Sequence, residues 1–88
     1  MIKFSFSPLC LDQYNEYALF DRKTFLKITK IIEQIRRTPF DGDGQPEALK
    51  GNFSGYWSRR INSKDRIIYR VLESEIELFS CKRHYEEK

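Results

Sequence analysis

Three strand-like runs follow one another in the second half of the chain. They cover residues 56–61, 66–72 and 76–82, and they are rich in the β-branched and aromatic side chains typical of strands. Four residues separate the first two runs and three separate the last two, which is too short for a crossover between parallel strands. The runs therefore predict an antiparallel meander, and the rest of the chain must cover its apolar face.

The first half of the chain predicts a short strand and a first helix. Residues 3–6 alternate polar and aromatic side chains, as a half-buried strand does. Ser7 followed by Pro8 is typical of a helix start, because a serine hydroxyl caps the helix and proline suits its first position. The predicted inward face of this helix has three residues at helical spacing: Leu11, Tyr14 and Ala18.

A second helix is predicted between Asp21, a capping residue, and Thr38. It must end there because Pro39 disfavours helical geometry in the residue before it. Four apolar side chains step along its predicted buried face by three or four residues: Phe25, Ile28, Ile32 and Ile35. The elements together predict an α+β fold, a single domain over residues 1–88. Its two N-terminal helices pack on one face of a four-stranded, mainly antiparallel sheet.

Residues 39–55 predict a long loop between the second helix and the meander. This segment holds all four glycines and two of the three prolines, and it shows no regular periodicity. Loops of this length inside small domains are usually functional, so we expect one wall of a binding surface here. The run DGDG at 41–44 resembles the start of a calcium-binding loop, but Pro46 stands where that loop needs glycine. No metal site is therefore expected.

The positive charge of the chain is concentrated in its middle. The net charge is +3, yet residues 22–70 carry twelve Lys or Arg and five Asp or Glu, a net +7. Such a block is typical of nucleic-acid-binding proteins, although a solvated helix face gives the same pattern. No apolar run approaches the ~18 residues that cross a membrane and no signal-peptide pattern is seen, so we expect a cytoplasmic protein without a membrane partner. Cys10 and Cys81 are expected to be reduced and buried.

Alternation along the middle strand of the meander predicts an arginine cluster on the uncovered face of the sheet. Arg66 and Arg70 share one face of this strand, and Tyr69 lies on the other. Arg60 joins the open face if its strand keeps register, whereas Arg59 falls on the opposite face, near an edge. Guanidinium groups on an open face suit phosphate, but a solvated face or pairing with acids would look the same.

The chain contains the residue types needed for phosphodiester cleavage without a metal or another cofactor. His84 is the single histidine, and an imidazole can give or take a proton near neutral pH, although a terminal histidine is often merely exposed. Glu47 lies in the long loop, which can fold over the face that carries Arg66. One of the two groups would deprotonate a ribose 2′-hydroxyl, the other would protonate the leaving oxygen, and the arginine would stabilise the phosphorane charge. This chemistry requires RNA.

Four segments carry a resemblance to a known family. They are RRTPF at 36–40, QPEALK at 45–50, NFSGYWSRRI at 52–61 and CKRHY at 81–85. In order and spacing they resemble the YoeB (Txe/YoeB) toxins of the RelE-like superfamily, closely from residue 36 to 85 and in general pattern before that. The resemblance implies a RelE-like, microbial-RNase-like fold and a toxin of a type II toxin–antitoxin system.

The resemblance also implies an activity and roles for particular residues. Family members are ribosome-dependent endoribonucleases that cleave mRNA in the A site and so inhibit translation. Carried over by position, Glu47 is the general base, His84 the general acid and Arg66 the transition-state arginine, while Tyr85 positions the scissile nucleotide. Three further residues are expected to contact RNA: Lys50, Arg59 and Arg60.

The implied partners are a YefM-like antitoxin, the 70S ribosome with its mRNA, and a second copy of the chain in a homodimer. Operator DNA is expected to bind through the antitoxin complex alone. Two other readings stay open: a gyrase inhibitor of the same fold, as in ParE-like relatives, and a module that binds RNA or antitoxin but has lost its activity. The residues that follow Tyr85 here, EEK at 86–88, place two carboxylates beside the predicted acid.

Overall fold

The computed structural model describes residues 3–82, in which two helices cover one face of a five-stranded sheet. The predicted α+β class is confirmed. The elements in chain order are β1 (Lys3–Phe6), α1 (Pro8–Phe20), α2 (Arg22–Arg37), β2 (Glu47–Ala48), β3 (Trp57–Arg60), β4 (Arg66–Val71) and β5 (Glu75–Ser80), with a 3₁₀ turn at Gly51–Phe53. Within this part of the chain, no helix is long and apolar enough to span a bilayer.

The sheet has the strand order β1-β5-β4-β3-β2, and it contains one strand more than the sequence predicts. β3, β4 and β5 form the expected antiparallel meander, and β1 joins β5 in parallel. The additional strand is β2, which pairs Glu47 with Ser58 and Ala48 with Trp57 inside the predicted loop. Two residues are too few to show alternation, so backbone pairing with β3 defines this strand rather than a side-chain pattern.

α1 begins where the sequence predicts, but it buries a different face. The Ser7 hydroxyl accepts a hydrogen bond from the Cys10 amide at 3.0 Å, with Pro8 at the first helical position. Cys10 and Tyr17 are buried, whereas Leu11 is 45% exposed. The predicted inward face of Leu11, Tyr14 and Ala18 is therefore wrong at its first position. α1 carries apolar residues all around its axis, so packing against β5 rather than periodicity selects the buried side.

α2 buries Ile28, Ile31 and Ile35, with Phe25 and Ile32 packed at the margin of the core. The predicted face is correct, and Ile31 is buried in addition. The helix ends at Arg37, and the amide of Thr38 donates to the Gln34 carbonyl, as expected before a proline. The core that both helices complete against β4 and β5 includes Cys10 and Cys81, whose predicted burial as free thiols is confirmed.

Asp21 caps α2, and its carboxylate gives fold stability a pH dependence. One oxygen accepts from the Thr24 hydroxyl at 2.8 Å and the other from the Thr24 amide at 3.2 Å. These hydrogen bonds lower the pKa of Asp21. A carboxylate whose pKa is lower in the folded state than in the unfolded state stabilises the fold. This contribution is complete above the unfolded-state pKa of about 3.9, and it is lost as the pH falls through the lower folded-state pKa.

We therefore expect Asp21→Ala to lower the urea midpoint of unfolding at neutral pH, because the cap is lost. Asp21→Asn should retain most of the cap while weakening the fall in stability below about pH 4. Asp12→Asn is the matched control, since Asp12 is an exposed helix carboxylate that accepts no hydrogen bond from residues 3–82. If Asp21→Asn and Asp12→Asn changed the fall in stability below about pH 4 equally, the role of Asp21 would be contradicted.

Candidate active site

The sheet register brings three of the predicted site residues to one face. Arg60 of β3 lies directly opposite Arg66 of β4. Ser58, two positions before Arg60, lies opposite Glu47 of β2. Residues that face each other across strands, or that lie two apart along one strand, share a side of the sheet. Glu47, Arg60 and Arg66 therefore lie together on the face that the helices leave open, as the sequence predicts.

Glu47 and Arg66 form an ion pair at the edge of this open face. A carboxylate oxygen of Glu47 lies 3.8 Å from Nη1 of Arg66. The Arg66 side chain is 19% exposed and the Glu47 side chain 67% exposed, so the arginine is held by its surroundings while the carboxylate stays accessible to a ligand. Backbone pairing holds the segment that carries Glu47, because the Leu49 amide donates to the Tyr56 carbonyl at 2.9 Å just beyond β2.

Arg70 shares the open face but is already paired. Its Nη2 lies 2.8 Å from Oε1 of Glu77, which is its cross-strand neighbour on β5. Its guanidinium carbon stands 5.1 Å from the ring centroid of Tyr56. Tyr56 in turn packs edge-on against Phe53 and Phe79. Arg70 therefore pairs with an acidic residue, which was the alternative to a phosphate-binding role. Its neighbours form a small aromatic cluster beside the site.

Arg59 is fully buried, which contradicts the predicted RNA contact. Its Nη2 donates to the carbonyl oxygens of Thr38 at 2.7 Å and Asp41 at 3.0 Å, so it ties the start of the long loop to β3. The Tyr69 hydroxyl donates to the carbonyl of Pro39 at 2.6 Å in the same cluster. The alternation that placed Arg59 on the face opposite Arg60 was correct, and the loop covers this face at the sheet edge. The side chain therefore supports the loop and presents no surface to RNA.

A basic cleft lies next to Arg60, and sequence reasoning did not identify it. The cleft has a volume of about 470 Å³ and opens between α2 and the end of β3; Lys27, Lys30 and Arg60 line it with one acidic residue, Asp43, and with Ile31 and Ile61. Within residues 3–82, none of these three cations forms an ion pair. The spacing of Lys27 and Lys30 indicated a solvated helix face, and their alignment with Arg60 depends on how α2 packs on the sheet.

A family model for the YoeB-like toxin of bacterial type II toxin–antitoxin systems matches residues 6–85. The chain belongs to this family. It is 42% identical to Toxin YoeB of Synechocystis sp. over 97% of this chain and 99% of the relative. It is 39% identical to Toxin YoeB of Escherichia coli K12 over 96% of this chain and all of the relative. The resemblance found in the sequence is thereby confirmed.

Solved structures agree with the family assignment. A YoeB/ParE toxin from Agrobacterium tumefaciens superposes with a TM-score of 0.92 at 40% identity, covering 96% of this chain and 100% of that one. The YoeB of the heterotetrameric YoeB–YefM complex from Staphylococcus aureus superposes with a TM-score of 0.87 at 38% identity, covering 97% of this chain and 99% of that one. YafQ from E. coli, at 12% identity and a TM-score of 0.77, shares the fold.

The remaining predicted site residues of this toxin lie in different situations. Lys50 is exposed, in the segment between β2 and the 3₁₀ turn. His84 and Tyr85 lie outside the described residues. β5 ends at Ser80, which pairs with Ile68, two positions from Arg66. The chain therefore leaves the sheet beside the strand end that carries the Glu47–Arg66 pair. Among the described residues, no group of His, Cys, Asp or Glu has the arrangement of a metal site.

α1 holds the segment that leads out of β5. The Cys81 amide donates to Oε1 of Gln13 at 2.8 Å, and the Lys82 ammonium lies 2.8 Å from a Glu16 carboxylate oxygen. The register between β4 and β5 shifts at the step from Ile68 to Tyr69, and irregularities of this kind bend a strand. These contacts hold residues 81 and 82 against α1 where the chain leaves the sheet.

Proposed function

We propose that this toxin is a metal-independent endoribonuclease that cleaves mRNA in the ribosomal A site. The observation that carries the proposal is the juxtaposition of Glu47 and Arg66, 3.8 Å apart on an open, basic face of the sheet. A carboxylate beside a guanidinium is suited to take a proton from a nucleophile while the cation holds the adjacent phosphate. Membership of the YoeB-like toxin family supports the same reaction.

In the proposed reaction, Glu47 removes the proton of a ribose 2′-hydroxyl. The 2′-oxygen then attacks the adjacent phosphorus, and the bond from phosphorus to the 5′-oxygen breaks. His84 protonates the departing 5′-oxygen, so the products are a 2′,3′-cyclic phosphate and a 5′-hydroxyl. Arg66 moves from its pairing with Glu47 to the phosphate, where it stabilises the charge that develops in the transition state. Tyr85 positions the scissile nucleotide.

The RNA substrate is proposed to extend over the neighbouring basic surface. Lys50 and Arg60 would contact its phosphates beside the catalytic pair. The cleft that Arg60 shares with Lys27 and Lys30 of α2 adds two further cations beside this surface. Cations that lie along one path bind a polyanion by releasing its condensed counterions, so they supply affinity without reading sequence. Recognition of the substrate would then depend on the ribosome, which presents mRNA in the A site.

The proposed partners follow the solved relatives. YoeB of S. aureus has been solved as a dimer and in a heterotetrameric complex with YefM. We infer that this toxin also binds a YefM-like antitoxin and forms a homodimer, and that it reaches operator DNA through the antitoxin complex alone. A disordered antitoxin segment that folds on binding could cover a surface as large as the open face.

The deciding experiment incubates the purified toxin with ribosomes that hold a defined mRNA, and it maps new RNA ends by primer extension. Cuts confined to the A-site codon, and absent with His84→Gln, are expected. Intact mRNA with folded toxin bound to the ribosome would overturn the proposal. A parallel DNA supercoiling assay tests the gyrase alternative, because a gyrase inhibitor would block supercoiling and leave the mRNA intact.

A further inference from the structure

Two free thiols meet in the core where α1 passes the end of β5. Cys10 lies in the first turn of α1 and Cys81 directly follows β5, and both are fully buried and unoxidised. The Cys81 thiol donates to the backbone carbonyl oxygen of Cys10, with Sγ 3.9 Å from that oxygen. Two cysteines far apart in sequence are therefore side by side in the fold.

We propose that Cys10 and Cys81 are a disulfide-forming pair that responds to hydroperoxides, and that the disulfide fastens the end of β5 to α1. No partner molecule is required, because the two sulfur atoms come from elements that already pack together. Cys81 stands three positions before His84 in the sequence. The bond would therefore fix the chain just ahead of the proposed catalytic acid.

The two cysteines differ in how firmly they are held. The Cys10 amide donates to the Ser7 hydroxyl oxygen, and that hydroxyl donates to the Phe79 carbonyl at 2.6 Å, so the start of α1 is fastened to β5. Cys81 lies beyond the last pair of the β4–β5 ladder, and its amide is held by the side chain of Gln13. Segments at the end of a ladder open locally at lower free energy than the core does. Cys81 should therefore reach solvent before Cys10 does.

The chemistry follows from this difference. While both cysteines are thiols, hydrogen bonding to Cys81 and burial raise the pKa of the Cys10 thiol well above its ordinary value, which disfavours its thiolate and so its direct reaction with peroxide. In the locally open state, the Cys81 thiolate attacks a peroxide oxygen, the O–O bond breaks, and a sulfenic acid forms with release of hydroxide. On closure the Cys10 sulfur attacks the sulfenic sulfur, and water leaves as the S–S bond forms. Two thiols lose two electrons in total, and hydrogen peroxide is reduced to two waters.

The test treats the folded, full-length toxin with hydrogen peroxide and measures its intact mass. We expect the mass of the monomer to fall by two hydrogen atoms, peptide mapping to link residues 10 and 81, and a thiol reductant to reverse both changes. The oxidised protein should also unfold at a higher temperature, because the bond closes a loop over most of the chain. Unchanged mass, gain of oxygen without linkage, or a disulfide between two chains would overturn the proposal.

Single variants test the order of events. With Cys10→Ala, a sulfenic-acid trap such as dimedone should label Cys81, since the resolving thiol is gone. With Cys81→Ala, Cys10 should stay unlabelled over the same period, and labelling of Cys10 at an equal rate would contradict local opening at Cys81. If either variant fails to fold, the wild-type mass and linkage still decide the main claim. None of these measurements depends on ribonuclease activity, so the proposed function can fail without affecting them.

Discussion

Replacing Glu47 by glutamine is expected to slow single-turnover cleavage of ribosome-bound mRNA by about 10²- to 10⁴-fold, the usual contribution of a general base. Glutamine keeps the size of the side chain but cannot accept the proton of the 2′-hydroxyl. Glu47 is largely exposed and its ion pair with Arg66 spans 3.8 Å, so the substitution should leave the folded state and ribosome affinity almost unchanged. The loss should therefore appear in the rate of cleavage and not in binding.

Glu77→Gln is the matched control for this variant. Glu77 also pairs with an arginine on the open face, at 2.8 Å from Arg70, but it has no role in the proposed chemistry. It should keep nearly the full rate. Arg66→Gln should lose about 10²- to 10³-fold, as does removal of one transition-state hydrogen-bond donor. The double variant should lose less than the product of the single losses, because the two residues act in the same transition state. Equal rates for Glu47→Gln and Glu77→Gln would contradict the assignment of Glu47.

Arg59→Ala is expected to lower the free energy of unfolding by about 3 to 4 kcal/mol, as the loss of a large buried side chain does. Arg59 is the largest of the fully buried side chains. Its removal leaves a cavity beneath the loop and deprives the Thr38 and Asp41 carbonyls of their donor. Urea denaturation measures the loss, and hydrogen exchange should show faster opening of residues 38–44.

Arg60→Ala provides the comparison at the adjacent position. Arg60 points to the open face and is exposed, so its replacement should change stability by less than about 0.5 kcal/mol. If Arg60 contacts RNA as proposed, this variant should instead weaken ribosome binding. Arg59 would then have a structural role and the adjacent Arg60 a binding role. A similar loss of stability in both variants would contradict the burial pattern.

Several features could be predicted from the sequence because they depend on neighbours along the chain. The helix caps at Ser7 and Asp21 and the stop before Pro39 are local effects of one or two residues. The meander follows from short links, and alternation placed Arg60 and Arg66 on one face and Arg59 on the other. The ordered motifs from residue 36 onward were specific enough to indicate the YoeB-like family. The catalytic roles of Glu47, Arg66, His84 and Tyr85 stay predictions until the variants are measured.

Other features were decided only by the tertiary structure, because they depend on contacts between distant parts of the chain. α1 has apolar side chains on every side, so its buried face was set by packing against β5. No local sequence pattern predicts where the long loop lies. In the structure the loop covers Arg59 and buries it. The adjacency of Cys10 and Cys81, and the alignment of Lys27 and Lys30 with Arg60, arise because the helices cross the sheet at a particular place. Alternation along a strand determines which face of the sheet a residue occupies, whereas packing determines what stands opposite it.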